Sequence, residues 1–164
     1  MRARRAILRR VIKVGARAPE FRVRTTSGDE VTNETYRGKT LVLYFFPKAF
    51  TTGCTIESKQ FRDAAPELRD LGAEVLGVST DSLETQCAFA KSLDAGFSMI
   101  GDQDKKVSRA FDVLWPILGK SQRVTFVIDG EGIVRGTFHH EILVGKHLED
   151  VRAMVKQLAS GKRS

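Results

Sequence analysis

The sequence contains only two cysteines, Cys54 and Cys87, in 164 residues. Two cysteines are too few for the disulfide framework of a small secreted scaffold. They are also too few for a zinc site unless the three histidines contribute ligands, so we expect no metal and no cofactor. Each cysteine is therefore interpreted either as a buried core residue or as a reactive thiol.

The sequence also lacks long apolar runs. No stretch approaches the ~20 apolar residues that a membrane-spanning helix needs, so we expect no membrane association. The hydrophobic share of 41% and the charged share of 29% are ordinary for a globular protein, and the length predicts one domain.

Acidic residues are missing from the N-terminal tail, which accounts for most of the net charge of +7. Six of the excess positive charges lie within the first 13 residues, at Arg2, Arg4, Arg5, Arg9, Arg10 and Lys13. The remaining chain is close to neutral, so we expect no specific nucleic-acid partner. The tail has neither the apolar centre of a secretory signal nor the serines of a transit segment. We interpret residues 1–12 as a basic extension before a domain at 13–164, in a cytoplasmic protein.

Apolar patterns predict alternating strands and helices along this domain. They predict a hairpin from Phe21 to Val31, strands at 40–46, 74–79, 97–100, 124–128 and 133–138, and helices at 82–93 and 105–113. Beyond Cys54, the first helix is indicated by apolar residues at helical spacing, at Phe61, Ala64, Leu68 and Leu71. Leu148, Val151, Met154, Val155 and Leu158 form the apolar stripe of a closing helix. Pro66 is expected to kink the first helix or to start a second segment. This order predicts an α/β fold whose mixed central sheet is covered by helices on both faces, which is compatible with a thioredoxin-like fold.

Cys54 occupies the position best suited to chemistry. The buried strand at 40–46 stops at Pro47, and Cys54 follows at the start of the next helix, which Thr51 or Thr52 is expected to cap. The positive end of a helix favours a thiolate, which is the nucleophilic form of cysteine. Position alone leaves a structural role for Cys54 equally open.

Four segments, in order along the chain, resemble the peroxiredoxins. Pro47-x-x-x-Thr51-x-x-Cys54 matches their active-site signature, and residues 45–55 (FFPKAFTTGCT) are similar to the Q-type branch, also called bacterioferritin comigratory protein. The similarity continues through residues 14–21 (VGARAPEF), 76–81 (LGVSTD) and 123–129 (RVTFVID). It implies a thioredoxin-like fold and a peroxidase that reduces hydrogen peroxide and organic hydroperoxides.

The resemblance also implies roles for individual residues. Cys54 attacks the peroxide and becomes a sulfenic acid, and Thr51 orients the peroxide or the thiolate. Arg123 stabilises the negative charge, unless it is an ordinary exposed strand residue. Pro47 packs over the thiol and limits the access of water.

Two positions depart from the pattern of this branch. Thr52 stands where proline is usual, which we expect to affect only the stiffness of the loop. Lys59 stands where many members carry a resolving cysteine, so a disulfide within one helical turn is excluded.

Cys87 is the remaining candidate for a resolving cysteine. Related chains carry theirs nearer Ala90 in the same helix, about one turn later. Either Cys87 closes a disulfide with Cys54 that thioredoxin then reduces, or the enzyme uses a single cysteine and Cys87 is structural. The resemblance further implies a monomer or a homodimer.

Other functions fit the sequence less well. A thiol–disulfide oxidoreductase would carry Cys-x-x-Cys, but Glu57 and Thr51 flank Cys54 at that spacing. A non-catalytic binding protein with a thioredoxin fold stays an alternative. The apolar segment 115–118 (WPIL) is interpreted as lining the site, as meeting a partner or as simple packing.

Overall fold

A computed structural model describes residues 12–139 and 144–161 of the chain. The elements of this part follow in chain order: β1 (Arg22–Arg24), β2 (Glu30–Thr32), a short 3-10 helix (Asn33–Tyr36), β3 (Thr40–Phe45), α1 (Thr52–Asp70), β4 (Ala73–Ser79), α2 (Leu83–Leu93), β5 (Ser98–Gly101), α3 (Lys106–Ala110), β6 (Val124–Ile128), β7 (Val134–His139) and α4 (Val144–Gly161). The predicted hairpin, strands and closing helix are confirmed to within a few residues at their ends.

The central sheet has five strands in the order β5-β4-β3-β6-β7. β3 is parallel to β4 and antiparallel to β6, and β1 and β2 form a separate antiparallel hairpin. The predicted mixed sheet of a thioredoxin-like fold, with an N-terminal hairpin, is therefore confirmed. Because β6 runs against β3, the start of β6 lies beside the end of β3.

All six residues of β3 are buried, and those after Thr40 alternate between two hydrophobic clusters. Val42, Tyr44 and the following Phe46 belong to the cluster that includes residues of α1, α2 and α4. Leu41, Leu43 and Phe45 belong to the cluster that includes the hairpin and α3. The central strand is therefore buried on both faces, as its continuous apolar run predicts.

Pro66 does not start a second segment, because α1 is a single helix with Pro66 inside it. Proline in a helix interior costs about 3 kcal/mol. Here Phe61, Ala64, Ala65 and Leu68 are all buried in one cluster, and this packing outweighs the local cost.

The third helix is shorter than predicted. It ends at Ala110 because Asp112 adopts a left-handed backbone conformation with φ 52°.

Two further expectations concern the edges of the fold. Residues 1–11 of the basic extension lie outside the described residues, and its last residue, Ile12, packs partly buried against the second cluster. The division of the chain after residue 12 stays a prediction. Ile117 and Leu118 are 94% and 68% exposed, so they do not belong to the core.

Within the described part of the chain, no helix combines the length and apolarity needed to cross a membrane.

Candidate active site

The Cys54 thiol lies in the first turn of α1, just beyond the end of β3. Residues 46–51 connect the two elements, and α1 begins at Thr52. Cys54 is only 1% exposed and belongs to the same hydrophobic cluster as Phe46 and Phe61. The side chain at this position lies at the positive end of the helix dipole, which stabilises negative charge.

Arg123 places a positive charge beside this thiol. It directly precedes β6, whose first residue, Val124, pairs with Phe45 at the end of β3. One guanidinium nitrogen, Nη2, lies 3.5 Å from the Sγ atom of Cys54. Arg123 is 7% exposed, so it is not an ordinary exposed strand charge.

Glu57 forms an ion pair beside the thiol that the sequence analysis did not predict. Its Oε1 atom lies 3.1 Å from Nη1 of Arg123, and both side chains are buried. Glu57 follows Cys54 by three residues on α1, a spacing that places both side chains on one face of the helix. In the sequence, the one feature that could have indicated this ion pair is an acidic residue on the same helix face as Cys54.

Gly53 leaves room for the guanidinium. A Cβ atom at this position would lie 3.2 Å from Nη2 of Arg123, closer than most such contacts. The absence of a side chain therefore lets Arg123 approach the first turn of α1 and reach the thiol.

Thr51 occupies the N-cap position of α1, but its hydroxyl does not cap the helix. The hydroxyl instead donates a hydrogen bond of 2.8 Å to the backbone carbonyl of Lys48. The expected capping hydrogen bond is therefore wrong for Thr51, and Thr52 lies within the helix rather than at its cap. The exposed Thr51 hydroxyl lies three residues before Cys54, at the solvent side of the site.

Pro47 is the second residue of the connecting loop and is half-buried. It follows Phe46, which shares a cluster with Cys54. Its packing over the thiol stays a prediction.

The Cys87 thiol faces another part of the molecule. Its Sγ atom lies 3.9 Å from the backbone carbonyl oxygen of Thr26, in the loop between β1 and β2. Phe89, two residues later on α2, points its ring toward Phe46 and Phe50 of the active-site loop. Residues two apart on a helix point in nearly opposite directions, so Cys87 does not face Cys54. Both cysteines are free thiols.

Known proteins share this sequence and this fold. The sequence profile of the AhpC/TSA family matches residues 14–137. Peroxiredoxin Bcp of Escherichia coli (strain K12) is 33% identical over 147 residues, covering 81% of this chain and 94% of that protein. Peroxiredoxin Bcp of Bacillus subtilis (strain 168) is 38% identical over 128 residues, covering 74% and 81%.

Solved structures agree with these relatives. Peroxiredoxin Q of Xanthomonas campestris superposes with a TM-score of 0.80 at 32% identity, covering 91% of this chain and 98% of that one. Peroxidoxin BcpB of Mycobacterium tuberculosis superposes with a TM-score of 0.83 at 28% identity, covering 90% and 98%. With its cysteine and arginine in contact at the start of α1, the chain belongs to the peroxiredoxins of the AhpC/TSA family, in the branch that contains peroxiredoxin Q and Bcp.

Proposed function

We propose that the chain reduces hydrogen peroxide and organic hydroperoxides, with Cys54 as the attacking residue. The thiol-dependent peroxidase activity follows from the family. The single observation that supports Cys54 as its nucleophile is the 3.5 Å contact between its Sγ atom and Nη2 of Arg123, in the first turn of α1. Reactive cysteines lie at helix N-termini and beside Lys, Arg or His⁺, and Cys54 has both features.

The attack is a substitution at oxygen. The Cys54 thiolate donates an electron pair to the terminal oxygen of the hydroperoxide, an S–O bond forms and the O–O bond breaks. Sulfur is oxidised to a sulfenic acid, and the peroxide is reduced to an alkoxide or hydroxide that takes a proton from water.

Arg123 supplies the electrostatic part of this step. Its guanidinium charge stabilises the thiolate before the attack and the negative charge on the leaving oxygen during it. The ion pair with Glu57 fixes the guanidinium in place, so little reorganisation is needed as the charge moves.

Thr51 and Pro47 are proposed to shape the peroxide site. The Thr51 hydroxyl is exposed beside the start of α1, where it can rotate to donate a hydrogen bond to a bound peroxide oxygen. Pro47 is proposed to shield the thiol from water.

Organic hydroperoxides are included because of one relative. The bacterioferritin comigratory protein of Xanthomonas campestris is described as having alkyl peroxide reduction activity. It is 31% identical to this chain, and the match covers 91% of this chain and 98% of that protein.

We further propose that the sulfenic acid is resolved by Cys87 and that a thioredoxin reduces the resulting Cys54–Cys87 disulfide. Disulfide geometry requires the two sulfurs to come within about 2 Å. Because Cys87 faces Thr26, the first turns of α2 must unwind before this bond forms. The same contact favours the second candidate, a single-cysteine peroxidase in which Cys87 is structural.

Intact-mass measurement separates these two candidates. The reduced protein and a Cys87→Ser variant are each treated with one equivalent of hydrogen peroxide. The disulfide mechanism predicts a loss of two hydrogens in the wild type and a gain of one oxygen in Cys87→Ser. A persistent gain of one oxygen in both proteins favours the single-cysteine enzyme.

The cellular setting is part of the proposal. A cytoplasmic location would keep Cys54 reduced between turnovers, and a monomer or a homodimer without cofactor suffices for the chemistry. No nucleic-acid or membrane partner is invoked.

A further inference from the structure

We propose that Asp81 is a positioning residue, whose carboxylate holds the loop between Pro47 and Thr51 in the shape needed for attack on the peroxide. The inference rests on the proposed function of Cys54. Asp81 lies outside the active-site signature, in the connection between β4 and α2.

The carboxylate of Asp81 joins the sheet to the active-site loop. Its Oδ2 atom accepts one hydrogen bond of 2.6 Å from the Ser79 hydroxyl and a second of 2.8 Å from the backbone N–H of Ala49. Ser79 is fully buried at the end of β4, and its carbonyl accepts a hydrogen bond of 2.7 Å from the backbone of Asp102. One end of the link is therefore fixed in the central sheet.

The second hydrogen bond of Asp81 goes to Ala49, which precedes a residue in an unfavourable backbone conformation. Phe50, directly after Ala49, has φ 64°, which is rare for a bulky side chain. Such a conformation persists only where surrounding contacts impose it. The hydrogen bond from Ala49 to Asp81 fixes the peptide between Lys48 and Ala49, one residue before Phe50. The carbonyl of this same peptide accepts the hydrogen bond from the Thr51 hydroxyl.

A second contact with the loop comes from α2. The ring of Phe89, on α2, lies 5.2 Å from the ring of Phe50 and 5.7 Å from that of Phe46, measured between centroids. Apolar ring contacts restrict distance but leave rotation, whereas the carboxylate fixes the direction of one N–H group. Asp81 is therefore the group that sets the orientation of the peptides leading to Thr51.

Loss of the Asp81 hydrogen bonds is expected to affect one reaction of Cys54 and not another. The carboxylate of Asp81 accepts its hydrogen bonds from Ser79 and Ala49 and not from the thiol, so its loss should not change the intrinsic reactivity of Cys54. It should displace the Thr51 hydroxyl, and a small displacement of a positioning group lowers a rate considerably. Peroxide attack should therefore suffer, while reaction with a reagent that needs no positioning should not.

The test compares two reactions of the same thiol. All variants carry Cys87→Ser, so that only Cys54 reacts, and the second-order rate constants with hydrogen peroxide and with iodoacetamide are measured at pH 7. Asp81→Ala is expected to lower the peroxide rate constant by about tenfold or more while alkylation stays within about twofold. Asp81→Asn is expected to recover most of the peroxide rate, because its amide oxygen can accept both hydrogen bonds. Glu84→Ala, which removes an exposed acid from the first turn of α2, is the matched control and is expected to change neither rate.

Three results would overturn the inference. They are an unchanged peroxide rate in Asp81→Ala, an equal loss in both reactions, and an Asp81→Asn variant as slow as Asp81→Ala. If Asp81→Ala does not fold, Ser79→Ala removes the hydroxyl that holds the carboxylate, and an unchanged peroxide rate there overturns the inference as well. A Cys87→Ser parent that does not react with peroxide would instead contradict the proposed function, so the two failures are distinguishable.

Discussion

Arg123 and Glu57 form a buried ion pair, with 3.1 Å between Nη1 and Oε1, and Nη2 of the same guanidinium lies 3.5 Å from the Cys54 sulfur. The two side chains are 8% and 2% exposed. Removing one partner of a buried pair is far more costly than removing one partner of a surface pair, because a desolvated charge is left behind. The pair therefore connects the stability of the fold with the chemistry of the thiol.

Loss of Glu57 is expected to destabilise the protein. Glu57→Ala should lower the free energy of unfolding by about 3 kcal/mol or more, because it removes the carboxylate that neutralises a buried guanidinium. Urea unfolding followed by circular dichroism measures this difference. The control is Glu67→Ala on the same helix, which removes half-exposed ion pairs with Arg152 and Lys156 and should cost less than about 1 kcal/mol. Equal losses in the two variants would contradict the importance of the buried pair.

Loss of Arg123 is expected to slow the attack on peroxide. Arg123→Ala should lower the second-order rate constant by about 100-fold to 1,000-fold, in line with the removal of one group that stabilises a developing charge. Arg123→Lys should fall in between, since a single ammonium cannot contact both the Cys54 sulfur and the Glu57 carboxylate. Stopped-flow measurement of peroxide consumption checks this order, with the exposed Arg24→Ala as control. An Arg123→Ala variant as fast as Arg24→Ala would argue against the role of the guanidinium.

A methyl group at Gly53 is expected to separate activity from stability. In Gly53→Ala the new Cβ atom lies 3.2 Å from Nη2 of Arg123, so the guanidinium must shift away from the sulfur. We expect a peroxide rate several times lower, together with unchanged or increased thermal stability, since alanine favours helix over glycine by up to about 1 kcal/mol. Gly161→Ala is the matched control, because its methyl group meets no atom within 4 Å. The prediction fails if Gly53→Ala keeps the wild-type rate.

Asp129 is expected to contribute stability that acid removes. Partial burial alone would raise the pKa of Asp129, but hydrogen bonds from the Ile133 backbone, the Arg135 side chain and the Glu131 backbone outweigh it and hold the pKa below its ordinary value. A carboxyl whose pKa is lower in the folded state stabilises the fold above its unfolded pKa of about 3.9, and this contribution is lost as the pH falls through the folded pKa.

Unfolding in urea at pH 7 and at pH 3 tests this sign. Asp129→Asn should be less stable than the wild type at pH 7. The difference should shrink at pH 3, because the unfolded wild type takes up a proton on Asp129 below its unfolded pKa of about 3.9. A difference that grows toward acid would mean that the pKa shift has the opposite direction.

Much of the fold could be predicted from local sequence. The run at 41–46 is aliphatic or aromatic at every position, and β3 is buried on both faces. The turn residues at 129–132 separate β6 from β7. Ser82, the first residue of the helix predicted at 82–93, is the N-cap of α2. These features depend on neighbours in the chain, and a single sequence records them.

The parts that could not be predicted depend on contacts between distant segments. Glu57 is unremarkable on α1 until β6 brings Arg123 beside it, and Asp81 is an ordinary loop acid until the chain folds Ala49 onto it. Thr51 has the residue type of a helix cap, yet its hydroxyl bonds to Lys48 instead. Cys87 is a further case in which local sequence is insufficient. The helical pattern predicts that Cys87 lies on a helix, but it does not predict that the sulfur lies near Thr26.

The most direct test of the account is the reaction of single-cysteine variants with hydrogen peroxide. Cys87→Ser and Cys54→Ser are each mixed with one equivalent of peroxide, and both the peroxide consumed and the intact protein mass are measured. The account predicts that Cys87→Ser consumes the peroxide and gains one oxygen atom, whereas Cys54→Ser does neither. Equal consumption of peroxide by Cys54→Ser would contradict the assignment of Cys54 as the attacking residue.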